Sequence, residues 1–128
     1  MTGNKLLLDT NIVIELFKGN REIPVVLDEQ EKIYIPFAVL GELYLGAYRS
    51  SNPQKKQQEI KGFLLMCIVL VADDRTAETY ALIKTALLNK GKPIPENDIW
   101  IAATSMQHQM PLYTKDGHFK EIEGIFLK

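Results

Sequence analysis

Short apolar runs alternate with longer amphipathic stretches along this chain, and that alternation narrows its fold to the α/β class. Lys5 to Leu8, Ile33 to Ile35, Ile68 to Val71 and Leu112 to Thr114 have the length and composition of strands, with Ile125 to Leu127 as a last short one. Helical periodicity covers Ile12 to Lys18, Phe37 to Tyr48, Arg75 to Asn89 and Asn97 to Gln109, and a polar helix follows Pro53. Gly91 is placed to close the longest of these. Strands joined through crossover helices predict a mainly parallel sheet with helices on both faces. Arg49 to Gln58, with its Ser-Ser-Asn-Pro and its Lys and Gln residues, reads as the most loop-like stretch. No repeat or linker divides the 128 residues. We therefore expect one domain across 1–128, burying roughly two thirds of its unfolded surface.

Two further features bound the setting. The single cysteine, Cys67, lies in an apolar run and cannot form an intramolecular disulfide, which favours a reducing, cytoplasmic environment and a buried thiol. The opening Met1-Thr2-Gly3-Asn4-Lys5 leads into only three leucines before Asp9, too few for a signal-peptide core or a membrane span. The expectation is a soluble protein with no membrane partner.

In parallel sheets, ligands collect beyond the carboxyl ends of the strands, so acids placed there stand out. Asp9 ends the run Lys5-Leu6-Leu7-Leu8, where it is either a functional acid or a cap or turn residue, with Thr10 or Asn11 able to cap the next helix. Asp116 follows Leu112-Tyr113-Thr114-Lys115, and Asp116-Gly117 is also an ordinary turn signal. Asp98 stands at the start of an apolar helix, behind Pro93-Ile94-Pro95, where the helix dipole alone would favour an acid.

Glu42 is the one charge in Phe37 to Tyr48, which is apolar on nearly every face and predicts a mostly buried helix. A carboxylate in such surroundings is costly unless it is paired, hydrogen-bonded or bound to metal. Four converging acids raise one another's pKa unless a cation is present. Oxygen-only ligands select a hard ion such as Mg²⁺, with Mn²⁺ able to substitute. That chemistry suits phosphodiester hydrolysis by metal-activated water, which leaves a 5′-phosphate and a 3′-hydroxyl and needs no side-chain nucleophile.

These residues bring a known family into view. Leu8-Asp9-Thr10-Asn11, Glu42 within Val39-Leu40-Gly41-Glu42-Leu43, Asn97-Asp98-Ile99-Trp100-Ile101-Ala102-Ala103, and Thr114-Lys115-Asp116-Gly117-His118-Phe119 follow one another in an order that resembles the PIN domain, and most closely the VapC-type toxins of toxin–antitoxin pairs. The likeness covers nearly the whole chain. It implies a PIN-like three-layer fold, a central twisted parallel sheet flanked by helices. It further implies a homodimer, an RNA substrate cut by a Mg²⁺-dependent endoribonuclease, and a VapB-type antitoxin whose peptide lies across the active-site groove. By the same resemblance Asp9 and Asp98 are the principal metal ligands, Glu42 and Asp116 complete the quartet, and Thr10, Asn11 and Thr114 support it.

The net charge of −1 is no obstacle to RNA. With the four acids set aside as ligands, fifteen basic residues face twelve acidic ones. Among the cations, which include Lys55, Lys56, Lys90 and Lys92, Arg49 and Lys115 stand nearest the motifs and are candidates for guiding phosphates. Phe37, Tyr44, Tyr48 and Trp100 are either base-stacking groups or core and dimer contacts. His108 and His118 are expected to be structural, because metal-activated water needs no histidine base. Outside the nucleases, a phosphoacceptor receiver domain has a similar size and acid placement, but here the acid pair Asp73-Asp74 falls in mid-chain and Lys92-Pro93 follows a helix. An inert PIN-like RNA-binding domain, or a PIN nuclease of RNA processing, shares the fold and stays open.

Overall fold

The computed structural model describes residues 4–128; the first three residues of the expected domain, Met1 to Gly3, lie outside that range. Four strands form one sheet: β1 (Lys5–Leu8), β2 (Lys32–Pro36), β3 (Ile68–Leu70) and β4 (Leu112–Tyr113), in the order β3-β2-β1-β4. Every pairing is parallel. Six helices flank the sheet among the described residues: α1 (Thr10–Phe17), α2 (Glu22–Asp28), α3 (Phe37–Tyr48), α4 (Pro53–Leu64), α5 (Asp74–Lys90) and α6 (Glu96–Gln107). A short 3-10 helix, Gly117–Glu121, follows β4.

The three leucines of β1 explain its central place. Successive strand residues point to opposite faces, yet Leu6, Leu7 and Leu8 are all fully buried, so both faces of the sheet are covered. Val39, Leu43 and Ala47 of α3, Ile99, Ala102 and Ala103 of α6, and Phe119 complete the same core. The chain moves from β1 to β2 on one side and places β4 on the other, which makes the gap between β1 and β4 the switch point of the sheet. No helix among the described residues is long and apolar enough to cross a membrane.

Several expectations need correction. The loop after Arg49 ends at Asn52, whose side chain accepts from the Lys55 amide and caps α4, so Pro53 to Gln58 are helical. Ile125 to Leu127 form no strand. Gly124, at φ 85°, turns the chain back so that Leu127 makes a single parallel bridge with Leu112, and a two-residue β4 offers no room for a ladder. Helix α2 was not expected from the sequence; its Pro24 sits in the first turn, where a missing N–H costs nothing, and Ile23 and Leu27 bury one stripe. Cys67 is half-buried rather than buried, and desolvation pushes its thiol up to about 11, which leaves it protonated and unreactive.

The largest departure concerns α3. Only Val39, Leu43 and Ala47 of that helix are buried, whereas Phe37, Leu45 and Tyr48 are 63%, 58% and 64% exposed. Helices α1, α4 and α6 and the sheet cover part of α3, and among the described residues no element covers the rest.

Candidate functional site

The site is assembled where β1 and β4 end side by side. Asp9 follows the last residue of β1, and its amide donates to the Tyr113 carbonyl of β4 at 3.0 Å. Its own carboxylate, rather than Thr10 or Asn11, caps α1, with Oδ1 accepting from the Thr10 amide at 2.7 Å. Oδ2 accepts from the Thr114 hydroxyl at 2.7 Å and from Asn11 Nδ2 at 3.2 Å. The cap and the functional readings of Asp9 are thus one arrangement, because the bonds that start the helix also fix the carboxylate.

Thr114 and Asn11 extend the arrangement. Thr114 Oγ1 accepts from Asn11 Nδ2 at 3.4 Å and from the Asp116 amide at 3.0 Å, while Asn11 Oδ1 accepts from the Lys115 amide at 3.1 Å. The turn after β4 is therefore tied to the start of α1 by side chains from both. Asp116 caps the 3-10 helix, its Oδ1 accepting from the His118 amide at 2.9 Å, and buried Phe119 anchors that helix in the core.

Asp98 enters from the third residue of α6, and Glu42 from the middle of α3. Burial is the main cause of a raised pKa at Asp9, Glu42 and Asp98. At Asp98 the charges of Asp9, Asp116 and Glu42 add to it, His118 opposes them, and the carboxyl reaches about 6. At Glu42 the pulls of Asn97 and Thr10 lower the pKa without matching the burial. Among the described residues, Glu42 Oε1 and Thr10 Oγ1 are nevertheless both buried with no hydrogen-bond partner. Thr10 thus supports the site through its amide, which donates to Asp9, and its buried hydroxyl lies beside Glu42.

The structure brings the four acids into one electrostatically coupled group. Its tightest part is not the quartet itself: one ligand atom each from Asp98, Asp116 and His118 lie within 4.8 Å of one another. Asp9 and Glu42 are not part of that trio, but their charges act on Asp98. His118, expected to be structural, reaches Asp116 Oδ1 with Nε2 at 3.2 Å. His108, by contrast, ends α6, at the far end of the helix from Asp98.

Other candidates fall further away. Lys115 is exposed beside the site, whereas Arg49 lies at the C-terminal end of α3, about two turns beyond Glu42. Trp100 stacks on Tyr80 with ring centroids 3.9 Å apart, and Tyr44 stacks on Tyr48. Phe37, Gly41, Glu42, Asn97 and Trp100 line a cleft of about 440 Å³, which Glu42 joins to the acid group. The group fits a hard divalent cation: its donors are almost all oxygen, two buried oxygens lack partners, and added positive charge would relieve the mutual repulsion.

Comparison with known proteins bears on the family and the fold. Ribonuclease VapC2 of Haemophilus influenzae is 35% identical over 124 residues, covering 94% of this chain and 92% of that protein. Toxin FitB of Neisseria gonorrhoeae is 31% identical over 121 residues, covering 87% of each. Among solved structures, VapBC2 from Rickettsia felis, bound to a DNA fragment from its promoter, superposes with a TM-score of 0.92 at 26% identity over 97% of each chain. Residues 6–125 match the PIN domain, and with relatives this similar over this much of its length the chain belongs to the PIN-domain family.

Proposed function

We propose that this protein, as a single PIN domain over residues 1–128, is a Mg²⁺-dependent endoribonuclease and the toxin of a VapBC-type toxin–antitoxin pair. The observation that carries the reading is the convergence of Asp9, Glu42, Asp98 and Asp116 at the β1/β4 switch point, with the Asp98 carboxyl pushed up to about 6. Relatives named as VapC ribonucleases, and neighbours solved as VapBC complexes, support an RNA substrate and a VapB-type antitoxin as partners. The apolar side chains that α3 leaves exposed support a homodimer. A reducing cytoplasmic location fits the half-buried, unreactive Cys67.

Asp9, Glu42, Asp98 and Asp116 would hold the cation, with Mn²⁺ an acceptable substitute for Mg²⁺. When bound, such an ion lowers the pKa of water and offsets charge on the scissile phosphate and leaving oxygen. Thr114 and Asn11 keep Asp9 Oδ2 at a fixed place, so that no reorganisation of this carboxylate is needed during the reaction. Glu42 Oε1, without a hydrogen-bond partner among the described residues, is poised to take a ligand or a water proton on a carboxyl whose pKa burial raises. Lys115 flanks the acids as the nearest exposed cation for a neighbouring phosphate. Phe37 and Trp100, along the adjacent cleft, provide flat apolar surface for unpaired bases.

The decisive experiment is RNA cleavage by antitoxin-free protein with Mg²⁺ or Mn²⁺, with EDTA, and with Asp9→Asn. Loss of cleavage in both controls, with 5′-phosphate and 3′-hydroxyl products, is the expected result. Cleavage that survives EDTA, or products ending in a 2′,3′-cyclic phosphate, would overturn the metal-hydrolysis mechanism. Folded protein that cuts none of a varied RNA set and binds no divalent ion would identify an inert PIN-like domain.

A further inference from the structure

The quartet accounts for the acids but leaves His118 unexplained. Its ring is placed, not adrift. Phe119, the next residue, is fully buried, and the His118 amide is bonded to Asp116 Oδ1, so the start of the 3-10 helix is pinned on both sides. From that position an imidazole nitrogen lies within 4.8 Å of a carboxylate oxygen of both Asp98 and Asp116, which is the spacing of groups that share one ion. Two carboxylates and an imidazole form a mixed oxygen and nitrogen donor set. Imidazole is a poor partner for Mg²⁺ and a good one for transition-metal divalent ions.

Resting on the cation-binding reading above, we infer that His118 contributes a nitrogen ligand to the cation held by Asp98 and Asp116, and so biases the site from Mg²⁺ toward Mn²⁺. The Asp116 turn then has two tasks, offering its own carboxylate and presenting the ring. The ring's contact with Asp116 Oδ1 at 3.2 Å keeps it facing the acids. An alanine at position 118 would remove the imidazole, with its contact to Asp116, and leave both carboxylates in the chain.

The test uses tag-free protein, purified from its antitoxin, stripped of metal and loaded with Mn²⁺. Pulsed electron paramagnetic resonance should detect ¹⁴N coupling from one imidazole. The chain has only two histidines. The signal should persist in His108→Ala and vanish in His118→Ala, with thermal melting to confirm that both variants are folded and His118→Asn as a second replacement. Calorimetry should show Mn²⁺ affinity falling about tenfold in His118→Ala while Mg²⁺ affinity changes far less. Bound Mn²⁺ without nitrogen coupling in the unaltered protein would overturn the inference and leave the carboxylate site standing. Failure to bind Mn²⁺ at all would overturn both.

Discussion

The Thr114 hydroxyl donates to Asp9 Oδ2 at 2.7 Å, joining the end of the fourth strand to the end of the first across 105 positions of sequence. The same oxygen accepts from Asn11 and from the Asp116 amide. One threonine therefore holds two of the four acids in register.

Replacing it tests that role. Thr114→Val keeps the shape and removes a donor and an acceptor from a part-buried network, which should cost about 2 kcal/mol of stability by urea denaturation. The Asp9 pKa, which this bond lowers, should rise further, and Mn²⁺ affinity should drop about tenfold. A stability change below about 0.5 kcal/mol would mean that the bond is incidental.

The raised Asp98 carboxyl has a consequence for pH. Its folded value is about 6, against an ordinary value of 3.8, so between those values the folded protein binds a proton that the unfolded chain does not. The contribution of this group is thus most favourable below about pH 4 and is lost as pH rises through 6. Metal-free Asp98→Asn should melt about 4 °C higher than the unaltered protein at pH 7, since solvent screening of a half-exposed group limits the gain to about 1 kcal/mol. The difference should vanish near pH 4. Cation affinity should follow the opposite course and rise with pH through 6, because the ion competes with the proton. Equal melting temperatures at pH 7 would argue that the acids do not strain one another.

Glu42→Gln separates function from folding at the buried carboxylate. The charge whose burial raises its pKa disappears, so metal-free stability should hold or increase, while RNA cleavage should fall by at least about a hundredfold. Retained cleavage would remove Glu42 from the site.

The exposed stripe of α3 predicts self-association. Leu45→Glu together with Tyr48→Glu places charge on two exposed apolar positions and should convert a dimer to monomer in light scattering, with the melting temperature changed by no more than a few degrees. A dimer that survives both changes would locate the interface elsewhere.

How much of this was legible in the sequence differs from element to element. The three leucines before Asp9 read as a strand that stops at an acid, and Gly91 at φ 68° closes α5 where a glycine stop is expected. Asp9, Asp98 and Asp116 were readable because each stands at a strand or helix boundary, and Glu42 because it is the one charge inside an apolar helix. Helix α2 was not, because Pro24 conceals a periodicity carried by only Ile23 and Leu27. The exposure of α3 was hidden for a different reason: an apolar pattern reports that a face avoids water, not whether the same chain covers it. The approach of His118 to Asp98 was not legible, because the two lie twenty positions apart in sequence and no local pattern encodes their distance.

The neighbouring placement of β1 and β4 also orders events in time. A chain synthesised from its N-terminus presents Asp9 early, then Glu42 and Asp98, yet neither Thr114 to brace the first acid nor Asp116 to complete the set exists until the strand that borders β1 has been made. The acid group can close only after its most distant segment folds back onto its earliest one. A chain that stops short of Thr114 therefore lacks both the brace on Asp9 and the fourth acid of the group.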